Sequence, residues 1–344
     1  MTDKNLRWGF LGTGNIARQF GAGVRTSERG RMVAVGSRTE QSARAFAREY
    51  GVERSHGSYE ALLADREVDA VYVSLPNAMH LGWTIKALEA GKHVLCEKPI
   101  AVNRAQAEEM FDVAERRGLV LVEAFMYRAH PLTRAVVETV KAGSIGEVRL
   151  VRTSFCYRTT RIADNIRFNA DLAGGALMDI GCYCINFSRL FAGAEPTVIH
   201  AAGRLHPSGV DEVVVGQLQF PNGVLASFSC GMGVQADNTA YVCGTEGYVE
   251  TFVPWKPPAK GATYTLARSA PPRQDQPSAK APAPPPPRDT RTVDAGKELY
   301  AIEADDFAAT VLDGRAPMLS RQDSIGNMRV LDEMRRQVGV RVPS

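Results

Sequence analysis

The stretch Leu6-Arg7-Trp8-Gly9-Phe10-Leu11-Gly12-Thr13-Gly14-Asn15-Ile16-Ala17 decides the fold. A compact apolar run ends at a glycine, and the pattern G-x-G-x-x-A that starts there leads into residues of helical texture. Gly12 permits a tight turn, Gly14 lets backbone approach a pyrophosphate, and the small Ala17 lets the helix lie close against the strand. The amino terminus of that helix favours an anion. In isolation the motif is one glycine-rich turn among many, and its weight comes from what surrounds it.

Four further apolar runs follow: RMVAVGS (31–37), DAVYVSL (69–75), HVLCE (93–97) and LVLVEA (119–124). Helical stretches such as SARAFAREYG (42–51) lie between them. This alternation is the signature of right-handed β-α-β units in a parallel sheet covered on both faces. Residues 1–125 therefore read as an α/β, doubly wound dinucleotide-binding domain of Rossmann type.

Beyond Tyr127 the texture changes. HPLTRAVVETVKAGSIG (130–146) reads as a helix closed by glycine, and VRLVRTSFCYR (148–158) as an alternating strand. GGALMDIGCYCINFSRLFAG (174–193) reads as a helix entered and left through glycines. TVIHAAGRL, DEVVVGQLQF, GVLASFSCGMG and NTAYVCGTEGYVETF then read as strands joined by turns. Residues 126–344 are thus expected to form an α+β domain with an open, largely antiparallel sheet, serving substrate binding and oligomerisation. Within it Arg268 to Arg288 holds eight prolines and reads as an extended surface loop, followed by two helices over 300–314 and 321–337.

The bulk numbers fit this division. At 344 residues, with 44% hydrophobic and 23% charged residues and a net charge of +3, the chain has the composition of two ordinary globular domains. Basic residues are interspersed with acids, so no nucleic-acid partner is expected. No run approaches the roughly 20 apolar residues of a membrane span, and the amino-terminal lead lacks a signal peptide's apolar core. A cytoplasmic protein without a membrane role is the expectation. The six cysteines form no C-x-x-C pair and the histidines no H-E-x-x-H set, so reduced thiols and no metal are expected.

The second strand ends in Val35-Gly36-Ser37-Arg38, where an NAD site commonly carries an acid for the ribose 2′-hydroxyl. Here Ser37 can hydrogen-bond a 2′-phosphate and Arg38 can pair with it, which favours NADP while leaving NAD possible. Ser74-Leu75-Pro76-Asn77, with His80 beyond, and Glu97-Lys98-Pro99 follow the carboxyl ends of later strands, where such sheets bind ligands. Lys98 is then near the nicotinamide. Asp179 and Tyr183, four apart on an expected helix, share a face. A lysine before proline is usually a surface turn and a tyrosine in an apolar helix is usually core. Together in one dinucleotide-binding chain they read as an acid-base set.

In this order GTGNIA, SLPNAMH, CEKP, EAFMYRAHP, NIRFN and GGALMDIGCY resemble the glucose-fructose oxidoreductase and inositol dehydrogenase family, over most of residues 5 to 250. Tyr183 in the last motif resembles the branch of aldose dehydrogenases and dimeric dihydrodiol dehydrogenases. The resemblance implies contacts to cofactor or substrate from Arg128 and Arg167, beside those from Gly12, Thr13, Gly14, Asn15, Ile16, Leu75, Pro76, Asn77 and Glu97. It also implies a homodimer or larger oligomer, which an antiparallel sheet short of covering helices would need in any case.

The expected activity is NADP-dependent interconversion of a hydroxyl and a carbonyl on a sugar, polyol or related cyclic substrate. Tyr183 would be general acid or base, its phenol acidified by the Lys98 ammonium, with Asp179 orienting Lys98 or the substrate. Two other functions use the same parts: glycoside cleavage through transient oxidation, and a non-catalytic NADP-binding sensor. A sensor has no need of a proton relay.

Overall fold

The computed structural model describes residues 5–268 and 286–341. The glycine-terminated run opens the first sheet as β1 (Leu6–Leu11), followed by β2 (Gly30–Gly36), β3 (Arg54–His56), β4 (Ala70–Val73), β5 (His93–Glu97) and β6 (Leu121–Ala124). All pair in parallel in the order β3-β2-β1-β4-β5-β6. Alternate residues serve opposite faces. Leu6, Trp8 and Phe10 join Phe20, Phe46 and Tyr72 in one core, while Leu11, Val71 and Val73 join Leu62 and Leu88 in the other. Each such side chain, fully buried, contributes about 1.5–3 kcal/mol, which is why the strands read as continuous apolar runs.

Helices α1 (Asn15–Val24), α2 (Glu40–Tyr50), α3 (Tyr59–Leu63), α4 (His80–Glu89) and α5 (Arg104–Arg117) make the crossovers. Thr39, Ser58 and Asn103 cap α2, α3 and α5 with their side chains. Helix α1 has neither a side-chain cap nor an acid in its first turn, so its leading N–H groups are available to a ligand. The strand order reverses between β1 and β4, and the crevice at their carboxyl ends is where an open α/β sheet binds ligands. Ser74 holds that edge together, its N–H and hydroxyl both donating to Leu11 O.

After α6 (Pro131–Lys141) the chain enters the second sheet with β7 (Val148–Cys156) and then forms α7 (Cys182–Ala192). The sheet continues through β8 (Val198–Leu205), β9 (Asp211–Gln219), β10 (Leu225–Gly231), β11 (Ala240–Gly244), β12 (Gly247–Thr251), β13 (Ala262–Arg268) and β14 (Arg288–Val293). The order is β14-β13-β12-β11-β7-β10-β9-β8, antiparallel except for β10 against β7. Arg268 and Arg288, expected in a loop, lie at strand ends, with Ala267 paired to Arg288. A polar run such as RDTRTV can take an edge position because the ladder uses only backbone groups. Residues 269–285 of the proline-rich stretch lie outside the described residues.

The last two helices are α8 (Leu299–Asp313) and α9 (Arg321–Val338). Helix α8 returns to the first sheet, where Phe307 packs 5.0 Å from the Trp8 ring. It approaches α1 so closely that a Cβ at Gly23 would stand 2.5 Å from the Tyr300 Cβ. Among the described residues no helix is long and apolar enough to cross a membrane, and no group of three His, Cys, Asp or Glu side chains is placed to hold a metal ion. The six cysteines are unpaired, and all but Cys243 are buried.

Candidate active site

A cleft of about 820 Å³ runs along the carboxyl ends of β1, β2, β4 and β5 and is walled on its other side by residues 155–183, Lys256 and Tyr300. At one end lie Gly12, Thr13, Gly14, Asn15 and Ile16. Gly12 has φ +104°, and a Cβ there would meet Ser74 Oγ at 3.0 Å, so the turn requires glycine. A Cβ at Gly14 would meet no heavy atom within 4 Å and would protrude into open space. That vacant approach and the uncapped α1 fit the phosphates of a dinucleotide. Ser37 and the exposed Arg38 line the same region. The nearest acid in sequence, Glu40, is engaged by Arg44 at 2.7 Å.

Midway, Leu75, Pro76 and Asn77 form the wall, and Asn77 donates to Ala173 O at 2.8 Å, tying this loop to the segment that leads into α7. His80 and Arg128 differ from expectation and stay out of the cleft. His80 is fully buried, with Nε2 2.8 Å from Leu75 O and Nδ1 2.9 Å from Pro99 O, so its ring braces two cleft loops from behind. Burial lowers its pKa against the pull of those carbonyls, and a neutral ring donates to only one of them. Arg128 donates to Asn186 Oδ1 at 3.0 Å and faces Asp323 at 3.6 Å, behind α7.

Lys98, Asp179, Tyr183 and Arg167 meet at the far end. Asp179 belongs to a π-helical turn, Leu177–Gly181, that runs into α7, where Tyr183 lies in the first turn. In that turn Cys182 N reaches back five residues to Leu177 O, and Asp179 O accepts from Lys98 Nζ at 2.5 Å. Lys98 Nζ is also 3.5 Å from Asp179 Oδ1, while Oδ2 accepts from Arg167 Nε at 2.8 Å and from Tyr157 OH at 2.7 Å. Burial pushes the Asp179 pKa up, but Lys98, Arg167 and Tyr157 outweigh it and hold the group below the usual carboxylate value. Burial likewise works against the Lys98 charge, and Asp179 foremost keeps its pKa above the ordinary one. This end of the site thus holds two cations around one carboxylate.

Tyr183 corrects the expected electrostatics. Lys98 Nζ lies 5.1 Å from the centroid of the Tyr183 ring, a cation over a π face rather than at the hydroxyl. Among the described residues the phenol donates to Met126 Sδ, at 3.3 Å, within an aromatic box that includes Phe125 and Phe155. Burial, with Glu97 next, pushes its pKa well above the ordinary tyrosine value, so the phenol is protonated at neutral pH. Glu97 lines the cleft but accepts from Tyr72 OH, and burial raises its own pKa. Tyr157, Lys256 and Tyr300 were not anticipated. Their positions in sequence carry no local mark, and only tertiary approach brings them to the cleft.

Comparison with known proteins places both halves of the chain in one family. The model of the oxidoreductase family with an NAD-binding Rossmann fold matches residues 6–125, and that of the GFO/IDH/MocA C-terminal domain matches residues 133–250. The chain belongs to the GFO/IDH/MocA family of oxidoreductases. It is 36% identical over 328 residues to a D-xylose 1-dehydrogenase (NADP(+)) of Haloferax volcanii, covering 95% of each chain. It is 39% identical over 259 residues to the trans-1,2-dihydrobenzene-1,2-diol dehydrogenase of Homo sapiens, covering 73% of this chain and 76% of that one. Among solved structures, a 3-ketoreductase from Actinomadura kijaniata in complex with NADP and TDP-benzene superposes with a TM-score of 0.85 and 32% identity, over 97% of this chain and 98% of that one. An aldose-aldose oxidoreductase from Caulobacter crescentus superposes with a TM-score of 0.83 and 28% identity, over 97% of each chain.

Proposed function

We propose that this protein is an NADP(H)-dependent oxidoreductase that interconverts a hydroxyl and a carbonyl on a sugar, polyol or related cyclic substrate. The observation that carries the reading is the convergence of Lys98, Asp179 and Tyr183, from distant parts of the chain, on one end of the cleft that begins at Gly12. Residues Gly12 to Ile16 would hold the pyrophosphate, and Ser37 with Arg38 the 2′-phosphate. When bound, the nicotinamide supplies or accepts the hydride.

The protein's own part is the proton and the developing charge. In the reductive direction Tyr183, held protonated by burial, gives its phenolic proton to the substrate oxygen as the carbonyl becomes an alcohol. The Lys98 ammonium stabilises the negative charge growing on that oxygen. Asp179 touches Lys98, Arg167 and Tyr157 at once, and so positions the cations rather than moving the proton. In oxidation the same groups run in reverse. Residues 1–125 chiefly serve the dinucleotide and 126–344 the substrate, and the protein acts as a homodimer through the open sheet face.

Relatives named for D-xylose and a dihydrodiol, together with a structure named as a 3-ketoreductase, support a substrate with adjacent hydroxyls. A spectrophotometric screen of NADP and NAD against pyranoses, polyols, dihydrodiols and keto-sugars tests the proposal. Stoichiometric change of the nicotinamide chromophore is expected with at least one class. Release of free sugar from a glycoside without net cofactor change would overturn it.

A further inference from the structure

We propose that Lys256 grips the pyrophosphate of the dinucleotide, reaching from the second half of the chain onto α1. The inference rests on the nicotinamide-dependent reading above. Lys256 lies in the link between β12 and β13, directly after Trp255. That tryptophan is fixed. Its Nε1 donates to Ser154 O at 2.9 Å, its ring stacks on Phe155 at 5.5 Å, and it lies 5.9 Å from the Tyr183 ring. The backbone that presents Lys256 is therefore anchored beside the reacting end of the cleft.

From there the side chain crosses to the first domain, where Nζ stands 3.3 Å from Gln19 Oε1. Tyr300 OH donates to the same oxygen at 3.3 Å. Gln19 is one turn into α1, just beyond the uncapped start at Gly14 and Asn15, and it lines the cleft with them. Two donors from outside the first 125 residues thus converge next to the N–H groups that suit a phosphate.

The charges point the same way. Lys98 and Arg167 both face Asp179, whereas among the described residues Lys256 meets only the neutral Gln19 amide. Partial desolvation and the nearby Lys98 push its pKa down, against the weaker pull of Glu97 and Asp179. Lys256 is exposed along the cleft among charges of both signs and has no ion pair of its own among the described residues, and the pyrophosphate is the anion this stretch of cleft is shaped to receive.

Fluorescence titration of the full-length protein, Lys256→Met and Lys256→Arg with NADP, NAD and adenosine 2′-monophosphate tests the assignment. The last probe has the 2′-phosphate but no pyrophosphate. Lys256→Met should raise the Kd of both dinucleotides by one common factor, about 10- to 100-fold, the size of a charge-assisted hydrogen bond. Binding of adenosine 2′-monophosphate should stay within about twofold, since its contacts are elsewhere, and Lys256→Arg should restore most of the loss. Unchanged dinucleotide affinity in Lys256→Met, or an equal loss for adenosine 2′-monophosphate, would overturn the role of Lys256 alone. Failure of the unaltered protein to bind either dinucleotide would overturn the reading beneath it as well.

Discussion

At the scale of single residues the site separates two tasks that one side chain could not combine. Arg38 is exposed at the end of β2, and among the described residues no acid lines the cleft beside it. Arg38→Ala should therefore weaken NADP by about 1.5–3 kcal/mol and NAD much less, because only NADP offers a 2′-phosphate to pair. Titration of both cofactors checks this, and equal weakening would remove the assignment. In the proposed reaction Tyr183 carries the proton, and its position would then set the pH behaviour. Burial holds the phenol protonated, so the reductive rate should be level across neutral pH. The oxidative rate, which needs the phenolate, should keep climbing past about pH 10, the ordinary tyrosine pKa. An oxidative plateau near neutrality would mean that Lys98 acts on the hydroxyl and not on the ring.

The elements explain which parts of this were legible in the sequence. β1, β2, β4, β5 and β6 announce themselves because a strand buried on both faces must be apolar throughout, and the turn at Gly12 is a local backbone requirement. β3 and β14 carry no such signal, since Arg54–His56 and RDTRTV pair through backbone at sheet edges. Asp179 and Tyr183 were readable as a pair, but the intervening π turn was not, and it is there that Asp179 O accepts from Lys98. Arg128 and His80 sit within readable motifs, yet Asn186 and two backbone carbonyls hold them away from the cleft. Helix α8 hides a further group. Glu303 is fully buried and both its carboxyl oxygens lack a partner among the described residues. Burial, followed by the neighbouring Glu97 and Asp306, pushes its pKa well above the usual value. Above the unfolded-state pKa of about 4.5 the unfolded chain releases this proton while the folded one keeps it, so stability falls as pH rises through that window. Glu303→Gln, which cannot ionise, should lose less stability between about pH 5 and 8 than the unaltered protein. Urea unfolding at the two pH values decides the matter, and parallel losses would show that Glu303 is charged in the fold.

At the scale of the whole molecule, the second sheet has one buried face and one that leaves apolar side chains exposed. Phe228, Val214 and Leu218 bury the inner face of the second sheet, in a core that also takes in Leu331 and Met334 of α9. Its outer face leaves Val215 52% and Leu225 50% exposed on adjacent strands. A second copy laid face to face would cover these apolar positions and leave the cleft accessible. Light scattering at micromolar concentration should give a dimer, and Val215→Lys with Leu225→Lys should shift it toward monomer. A fully active monomer in the unaltered protein would remove the dimer from the account. The same two-domain architecture brings Lys98 from one half and Tyr183 from the other to a single point, and on that meeting the proposed chemistry depends.

The measurement that tests it most directly is single-turnover oxidation of NADPH by a turned-over keto-substrate, comparing the unaltered protein with Tyr183→Phe, Lys98→Met and the double variant. Tyr183→Phe preserves ring packing and removes the proton, so NADPH affinity should hold while the rate falls by roughly a hundredfold to ten-thousandfold. Lys98→Met should lose a comparable factor, and the double variant should be little slower than either alone because the two act as a unit. A Tyr183→Phe protein that turns over at the unaltered rate would contradict the account, leaving the tyrosine as packing for its helix.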